Sequence, residues 1–217
     1  MPIPNYDSET FVAFVDISGF KQMMKNQRKA AHAMDCFYTA GFSILQRHNN
    51  VHGMLVSDCA VLFAVGNHLP IIKLRNILSV TEQLNRELIR NEIMLTTSIA
   101  YGQFKYHQRL EFPGIEKNPI YGHAYIAAFL DNESGHPRIQ PGQCRIVKKN
   151  LPPIDFSDLE RTRETKNHYY YYWMLSNSAQ IQNFNNLYND AYQLKYRGML
   201  DAINKAVSGT LPAEPNF

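Results

Sequence analysis

Two aspartates stand at positions where they could bind divalent metal ions together with a polyphosphate. Asp16 ends the apolar run T-F-V-A-F-V-D, which starts at Thr10. Asp58 belongs to the polar pair Ser57-Asp58, between the short apolar runs 54–56 and 60–63. Hard divalent ions such as Mg2+ take oxygen ligands and are held by one or two carboxylates plus substrate phosphates. The pair therefore predicts a metal-triphosphate site, provided that the fold brings both carboxylates to one sheet edge.

The residues that follow Asp16 suit the phosphates of such a ligand. The carbonyl of Ile17 could add a neutral metal ligand. Ser18, Gly19 and Phe20 would then begin a helix, where free backbone N–H groups and the helix dipole favour phosphate oxygens. Glycine permits the tight turn and the close approach of a ligand. We therefore expect the three N–H groups to bind phosphate.

Two ions about 3.5 to 4 Å apart can lower the pKa of an attacking hydroxyl and stabilise the leaving diphosphate. If the attacking group is a ribose 3′-hydroxyl, the product is a 3′,5′-cyclic nucleotide. A simpler interpretation is that Asp16 only caps the next helix and that Ser57-Asp58 is only a turn. The two motifs together favour the metal site over these separate roles.

The elements that must position both aspartates follow from hydrophobic periodicity. The pattern predicts a buried strand 10–16, a helix from Phe20 to about His48, a hairpin with strands 54–56 and 60–63, a helix 69–89 begun by Pro70, and a strand 94–104. This order is the βαββαβ arrangement of ferredoxin-like α+β folds, with an antiparallel sheet covered by helices on one face. A short helix 121–130 and a strand near Arg138-Ile139 complete the set.

The rest of the chain predicts an extension of the same unit. A tyrosine run, Tyr169–Tyr172, is typical of a half-exposed strand, and a helix is expected from about Ala179 to Ala206. We expect a catalytic domain over residues 1–150 and a C-terminal strand/helix extension over 151–217, packed on that domain.

Composition limits the class of protein. Hydrophobic residues make up 45% of the 217 residues and charged residues 19%, which predicts a folded globule. The net charge of +3 is small and the basic residues are scattered, so no nucleic-acid partner is expected. Three cysteines without a CxxC spacing favour ordinary thiols. The sequence shows no membrane-length apolar run and no signal-peptide pattern, so we expect a cytoplasmic protein without a membrane partner.

The segment V-A-F-V-D-I-S-G-F with its following S-D hairpin resembles the class III nucleotidyl cyclases over about residues 9–148. Within that group it is most similar to the Pycsar uridylate and cytidylate cyclases of bacterial antiphage defence. Three features carry this likeness: S-D in place of the more usual G-D at Ser57-Asp58, Y-G-H-A-Y from Tyr121 before an alanine-rich helix, and P-R-I at 137–139.

The resemblance implies a homodimer that converts UTP or CTP to cyclic UMP or cyclic CMP and diphosphate, with each active site at the subunit interface. It implies two Mg2+ or Mn2+ ions per site, bound by Asp16, Asp58 and the backbone of Ile17. It also implies that the product is an antiviral second messenger for a separate effector protein.

The chain departs from the purine cyclases at two places. Met54 stands where they usually carry a lysine that reads the base, four residues before the second aspartate. On the later helix, purine cyclases carry an asparagine that holds the ribose and an arginine that stabilises the transition state. This helix has only apolar and aromatic candidates for those positions: Tyr125, Ile126, Phe129 and Leu130.

A cation from elsewhere is therefore needed for catalysis. The candidates are Arg47, Lys105, Arg109 and Arg138, of which we favour Arg138. Arg47 could instead approach the base. Two other hypotheses stay open: a purine cyclase with atypical base contacts, and a cyclase-like domain that binds a nucleotide or partner as a sensor without catalysis.

Overall fold

The computed structural model describes residues 3–112, 115–117 and 119–209, and for residues 109–118 it describes no side chains. The helices are α1 (Phe20–Met23), α2 (Gln27–Leu45), α3 (Pro70–Ile89), α4 (His123–Ser134), α5 (Ile181–Tyr192) and α6 (Lys195–Val207). The strands are β1 (Tyr6–Ile17), β2 (Val51–Val56), β3 (Cys59–Ala64), β4 (Leu95–Tyr106), β5 (Arg109–Phe112), β6 (Ile115–Lys117), β7 (Ile120–Tyr121), β8 (Cys144–Val147), β9 (Thr162–Glu164) and β10 (His168–Tyr171).

Eight of the described strands form one mixed sheet. Its order is β2-β3-β1-β4-β8-β10-β9, and β7 pairs with the far end of β4. All pairings are antiparallel except that of β4 with β8. The first four strands with α2 and α3 form the predicted βαββαβ unit, so the ferredoxin-like α+β prediction is confirmed.

Residues 11–15 of the central strand β1 are buried on both faces of the sheet, which explains their uninterrupted apolar sequence. Phe11, Ala13, Val15 and Ile17 face a core that includes α2 and α3. Val12 and Phe14 belong to a second cluster, which includes Ala124 and Ala128 of α4. Helices therefore cover both faces of the sheet, which corrects the expectation of one covered face: the alanines of α4 allow this helix to lie close against the strands.

The first predicted helix is interrupted. The four-residue α1 ends at Met23, and α2 starts at Gln27 behind Asn26, whose side chain accepts a hydrogen bond from the Lys29 N–H at 3.2 Å. Such a cap starts a new helix because it satisfies one of the free N–H groups of the first turn. The predicted second helix is confirmed, with Pro70 as its first residue.

The strand predicted near Arg138-Ile139 is wrong. Residues 135–143 form a loop that bonds to the backbone of β4 only at its end, where the Gly142 N–H donates to the Leu95 carbonyl and the Gln143 carbonyl accepts from the Thr97 N–H. Side chains of the C-terminal part of the chain bond to two of its carbonyl groups. Tyr188 donates to the Pro141 carbonyl at 2.6 Å, and the Trp173 indole donates to the Gly142 carbonyl at 2.7 Å. The strand in this region starts only at Cys144, where β8 joins β4.

The C-terminal residues extend the same sheet and its helical layer. The tyrosine run forms β10, as predicted, and β10 pairs with β8. The single helix predicted over 179–206 is two helices, because Lys195 has a left-handed backbone, φ 59°, that interrupts it. None of the described helices is both long and apolar enough to cross a membrane.

Candidate active site

Asp16 lies near the end of β1, on the sheet face that α4 partly covers. It pairs with Cys59 of β3 on one side and with Thr96 of β4 on the other. Side chains alternate along a strand, so Asp16 shares the face of Val12 and Phe14, both of which pack in the α4 cluster. Its carboxylate therefore lies at the open end of that face.

Asp58 is brought beside Asp16 by the β2–β3 hairpin. Ser57 and Asp58 form the two-residue turn between Val56 and Cys59, and Ser57 has a φ of 54°. The Ile17 N–H donates to the Asp58 carbonyl at 3.0 Å, which ties the turn to the end of β1. Since the N–H and C=O of one strand residue point to the same side, the Ile17 carbonyl also faces the hairpin.

The two carboxylates and a third one interact through space. The pKa of Asp16 is raised to about 7, first by burial, then by the negative charges of Asp58 and Glu133. Glu133 lies on α4 beside Asn132, whose side chain accepts a hydrogen bond from Thr96, the neighbour of Asp16 in the sheet. Glu133 could not be predicted from the sequence, because only the packing of α4 across β4 places it here.

A divalent ion fits these donors. Among the described residues no cluster of three or more histidine, cysteine, aspartate or glutamate side chains could hold a metal. Ions such as Mg2+ need no such cluster, because they keep waters and bind substrate phosphates. The Ser18 hydroxyl, two residues beyond Asp16, is buried without a hydrogen-bond partner. The pKa of Asp16 is raised first by burial and then by the negative charges of Asp58 and Glu133, which a cation would balance. The water shell of such a cation would also offer a partner to the Ser18 hydroxyl.

The turn after β1 offers fewer free donors than expected. The Ser18 N–H donates to the Met94 carbonyl at 2.9 Å, so the prediction of three free N–H groups is wrong at Ser18. Gly19 is left-handed, φ 77°, and no described residue accepts a hydrogen bond from the N–H groups of Gly19 and Phe20. These two groups remain available to phosphate oxygens.

Met54, which stands where purine cyclases carry a base-reading lysine, lies on the same sheet face as Asp16. Met54 of β2 pairs with Val61, which pairs with Phe14, and its side chain packs against the α4 cluster. On α4, the Phe129 ring meets Phe14 edge-on with centroids 5.2 Å apart, and Tyr125 stacks on Phe129 at 6.2 Å. This part of the face is apolar and aromatic.

Arg47 lies away from Met54 and Asp16. It lines a cleft of about 630 Å³ between α2 and α3, on the other face of the sheet from Asp16, and its Nε donates to the Ser43 carbonyl. Arg47 also lies before Val51, the first residue of β2, whereas the turn with Asp58 follows Val56, the last one. These two ends of β2 are about 17 Å apart at ~3.4 Å per residue. The prediction that Arg47 contacts the substrate of this site is therefore wrong.

The other proposed cations differ in position. Lys105 pairs with Asp7 at 2.7 Å, at the far end of β1 from Asp16. The side chain of Arg109 lies outside what the structure describes. Arg138 is exposed in the loop that leads to Gly142. The Gly142 N–H donates to the carbonyl of Leu95, which pairs with Ile17 in the sheet. Of the candidates with described side chains, Arg138 is thus the one at the Asp16 end of the sheet.

A buried ionic cluster around Asp131 fixes α4 on the sheet next to Glu133. The Asp131 carboxylate accepts from Arg145 Nε, Ser98 Oγ and His168 Nε2, each at 2.7 Å. Burial by itself would raise the pKa of Asp131, but the hydrogen bonds from His168, Arg145 and Ser98 outweigh it and lower this pKa. The cluster joins α4 to β4, β8 and β10, and was not apparent in the sequence.

Comparison with known proteins identifies the fold. No family model matches the chain, and no curated protein matches it significantly. Solved structures of cyclase domains do match. The dimeric guanylyl cyclase domain of the RhoGC fusion protein from Blastocladiella emersonii has a TM-score of 0.58 at 11% identity, covering 77% of this chain and 97% of that domain.

Two further structures give the same result. The guanylate cyclase domain of RhGC from Catenaria anguillulae, in complex with GTP, has a TM-score of 0.56 at 12% identity, over 77% of this chain and 97% of that one. The adenylyl cyclase CyaB from P. aeruginosa has a TM-score of 0.55 at 12% identity, over 77% and 95%. The chain therefore has the fold of a class III nucleotidyl cyclase catalytic domain.

Proposed function

We propose that this protein is a nucleotidyl cyclase that converts a nucleoside triphosphate to a 3′,5′-cyclic nucleotide and diphosphate. The observation that carries the proposal is the convergence of Asp16 and Asp58 on one sheet end, beside a turn with two free backbone donors. This arrangement occurs on the fold of known nucleotidyl cyclase domains.

Each group of residues in the site has its own role in such a reaction. Asp16, Asp58 and the Ile17 carbonyl would hold two Mg2+ or Mn2+ ions, which when bound favour ionisation of the ribose 3′-hydroxyl and stabilise the diphosphate. The N–H groups of Gly19 and Phe20 bind phosphate oxygens. Arg138 supplies positive charge to the transition state, because α4 carries apolar and aromatic residues where purine cyclases carry their asparagine and arginine.

The substrate we propose is UTP or CTP. Met54 offers no charged donor to a purine edge, and its neighbours on this face, Val61 and Phe14, are apolar. A pyrimidine is then held by packing and by a few hydrogen bonds to its own edge. Together with the sequence likeness to Pycsar cyclases, this supports a role in antiviral signalling through a separate effector.

We further propose that the active form is a homodimer. Three apolar side chains of α4 are exposed beside the site: Ile126, Phe129 and Leu130, with exposed fractions of 52%, 37% and 51%. Burying these groups against a second copy would remove apolar surface from water. It would also place residues of the second subunit near the bound nucleotide.

The deciding experiment incubates the purified protein with ATP, GTP, CTP and UTP in turn, with Mn2+ or Mg2+, and identifies products by mass spectrometry. We expect cyclic UMP or cyclic CMP. Cyclic AMP or GMP as the main product would contradict the choice of substrate and leave the reaction intact. Triphosphate binding without any cyclic product, while a control cyclase is active, would contradict catalysis and favour a sensor, for which the aromatic Tyr125–Phe129 pair is the motivating observation.

A further inference from the structure

The beginning of α6 packs on the turn that follows β1. A Cβ built on Gly19 would lie 3.9 Å from the Tyr196 ring. The Tyr196 hydroxyl donates to the Glu92 carbonyl at 3.1 Å and accepts from the Met94 N–H at 3.2 Å. The Met94 carbonyl in turn accepts a hydrogen bond from the Ser18 N–H. A side chain from the C-terminal part of the chain thus holds the backbone on both sides of Ile93, and Met94 in turn holds Ser18 at the start of the turn.

Lys195 directly precedes Tyr196 in a backbone conformation that lysine rarely adopts. Its φ is 59°, a region that costs a residue with a Cβ about 1–2 kcal/mol. Strain of this kind persists only where surrounding structure imposes it, and it is common at functional sites. Here the close contact of Gly198 with Leu194 and Ala191 fixes the start of α6, since a Cβ at Gly198 would lie within 2.5 Å of both.

The ammonium group of Lys195 is available to a ligand. Lys195 is exposed, and among the described residues no hydrogen bond or ion pair involves its side chain. The acidic groups nearby are already paired with another cation, since Arg197 contacts Glu92 at 3.0 Å and Asp201 at 3.4 Å. A free cation therefore lies next to the residue that packs on Gly19.

We propose that the start of α6 forms the polyphosphate end of the active site, with Lys195 contacting the terminal phosphates and Tyr196 positioning the Ser18–Phe20 turn. This inference rests on the proposed nucleoside triphosphate site. It assigns the C-terminal helices a role in substrate binding within the same subunit. An ammonium on a flexible stem suits the terminal phosphates, which carry the most charge and extend farthest from the base.

The first test measures binding of inorganic triphosphate in the presence of Mn2+ by calorimetry, which requires no turnover. The variants are Lys195→Gln, Lys195→Arg and, as a matched control, Lys29→Gln, which removes an exposed lysine of α2. We expect the glutamine variant at 195 to lose about tenfold in affinity, since it loses a charge-assisted hydrogen bond. The arginine variant and the control should stay within about threefold of the wild type.

Equal affinity of Lys195→Gln and wild type would overturn the assignment of Lys195. Failure of the wild type to bind inorganic triphosphate would also overturn it, while turnover of nucleotides would still decide the proposed function separately. A loss shared equally by Lys29→Gln would show a general charge effect and contradict a specific contact.

A second variant tests the positioning role of Tyr196. Tyr196→Phe keeps the ring on Gly19 and removes the hydroxyl that joins Glu92 and Met94. We expect inorganic triphosphate to bind about fivefold more weakly, and KM for the nucleotide to rise by a similar factor with little change in kcat. A lower melting temperature with unchanged triphosphate affinity would show a purely structural tyrosine and overturn this part of the proposal.

Discussion

The backbone N–H of Ile17 donates a hydrogen bond to the carbonyl of Asp58, 3.0 Å away. This bond closes the hairpin turn against the end of β1. Asp58, 42 positions from Asp16 in sequence, therefore lies directly before Cys59, the residue that pairs with Asp16. The geometry of the proposed metal site thus depends on backbone pairing, and the side chains of Asp16 and Asp58 can be changed without removing that pairing.

We expect Asp16→Asn and Asp58→Asn each to reduce turnover by about 10³-fold or more, because each removes one of the charged ligands that metal-assisted displacement needs. The fold should persist, and calorimetry should show weaker Mn2+ binding. Asp35→Asn, an exposed residue of α2, is the matched control and should retain full activity. Full activity in both site variants would contradict the metal assignment.

The stability of the metal-free protein should depend on pH through Asp16. Its pKa rises from the ordinary value near 4 to about 7 on folding, because of burial and the charges of Asp58 and Glu133. The folded state therefore binds more protons than the unfolded state between these values. This contribution to stability is complete below about pH 4 and is lost as the pH rises through about 7.

Solvent screening at this half-buried site leaves about 2 kcal/mol of that contribution. The free energy of unfolding of the wild type should therefore fall by about 2 kcal/mol between pH 4 and pH 8 through Asp16, and that of Asp16→Asn should not show this fall. Urea unfolding of both proteins at the two pH values, without metal, measures the difference. An identical pH dependence of both proteins would contradict the raised pKa.

The parts of this site that depend on local sequence could be predicted. The apolar run ending in Asp16, the glycine at position 19 and Pro70 at the start of α3 each specify their own strand, turn or helix start through side-chain pattern and backbone preference. The hairpin is also local, and it brings Asp58 to β1 by simple strand pairing.

The remaining parts depend on how distant elements pack. Glu133 is one of 19 acidic residues, and nothing in its neighbours distinguishes it until α4 crosses the sheet beside Thr96. The same holds for Asp131, whose partners Arg145 and His168 lie on two later strands. Arg47 illustrates the converse: its place in the sequence near the hairpin did not reveal that α2 carries it to the other face of the sheet.

Ser57→Gly should stabilise the protein. Ser57 has a φ of 54°, which costs a residue with a Cβ about 1–2 kcal/mol, whereas glycine adopts it freely. The greater freedom of glycine in the unfolded chain offsets part of this, so we expect a net gain of about 0.5–1 kcal/mol in urea unfolding.

Ser79→Gly supplies a control of opposite sign for that substitution. Ser79 is exposed in the middle of α3, where glycine should cost about 0.5–1 kcal/mol. Loss of stability in both variants would show that the turn does not favour glycine.

Arg138→Gln should lower kcat by about 10²–10³-fold with little change in KM, because a cation that acts on developing charge stabilises the transition state more than the bound substrate. Arg28→Gln, on the exposed surface of α2, is the matched control. An unchanged kcat for the Arg138 variant would assign the transition-state charge to another group, of this subunit or of its partner.

Met54→Lys should change the preference between bases. The half-buried Met54 lies on the face of Asp16, and a lysine there can keep its stem against Val61 while its ammonium reaches the open end of the sheet. The new donor can bond to purine acceptors, and its charge disfavours the apolar packing that holds a pyrimidine. We expect the ratio of purine to pyrimidine kcat/KM to rise about tenfold or more across the four nucleotides. Met54→Leu preserves volume without adding a donor and should leave this ratio within about threefold; an equal ratio in both variants would show that position 54 does not contact the base.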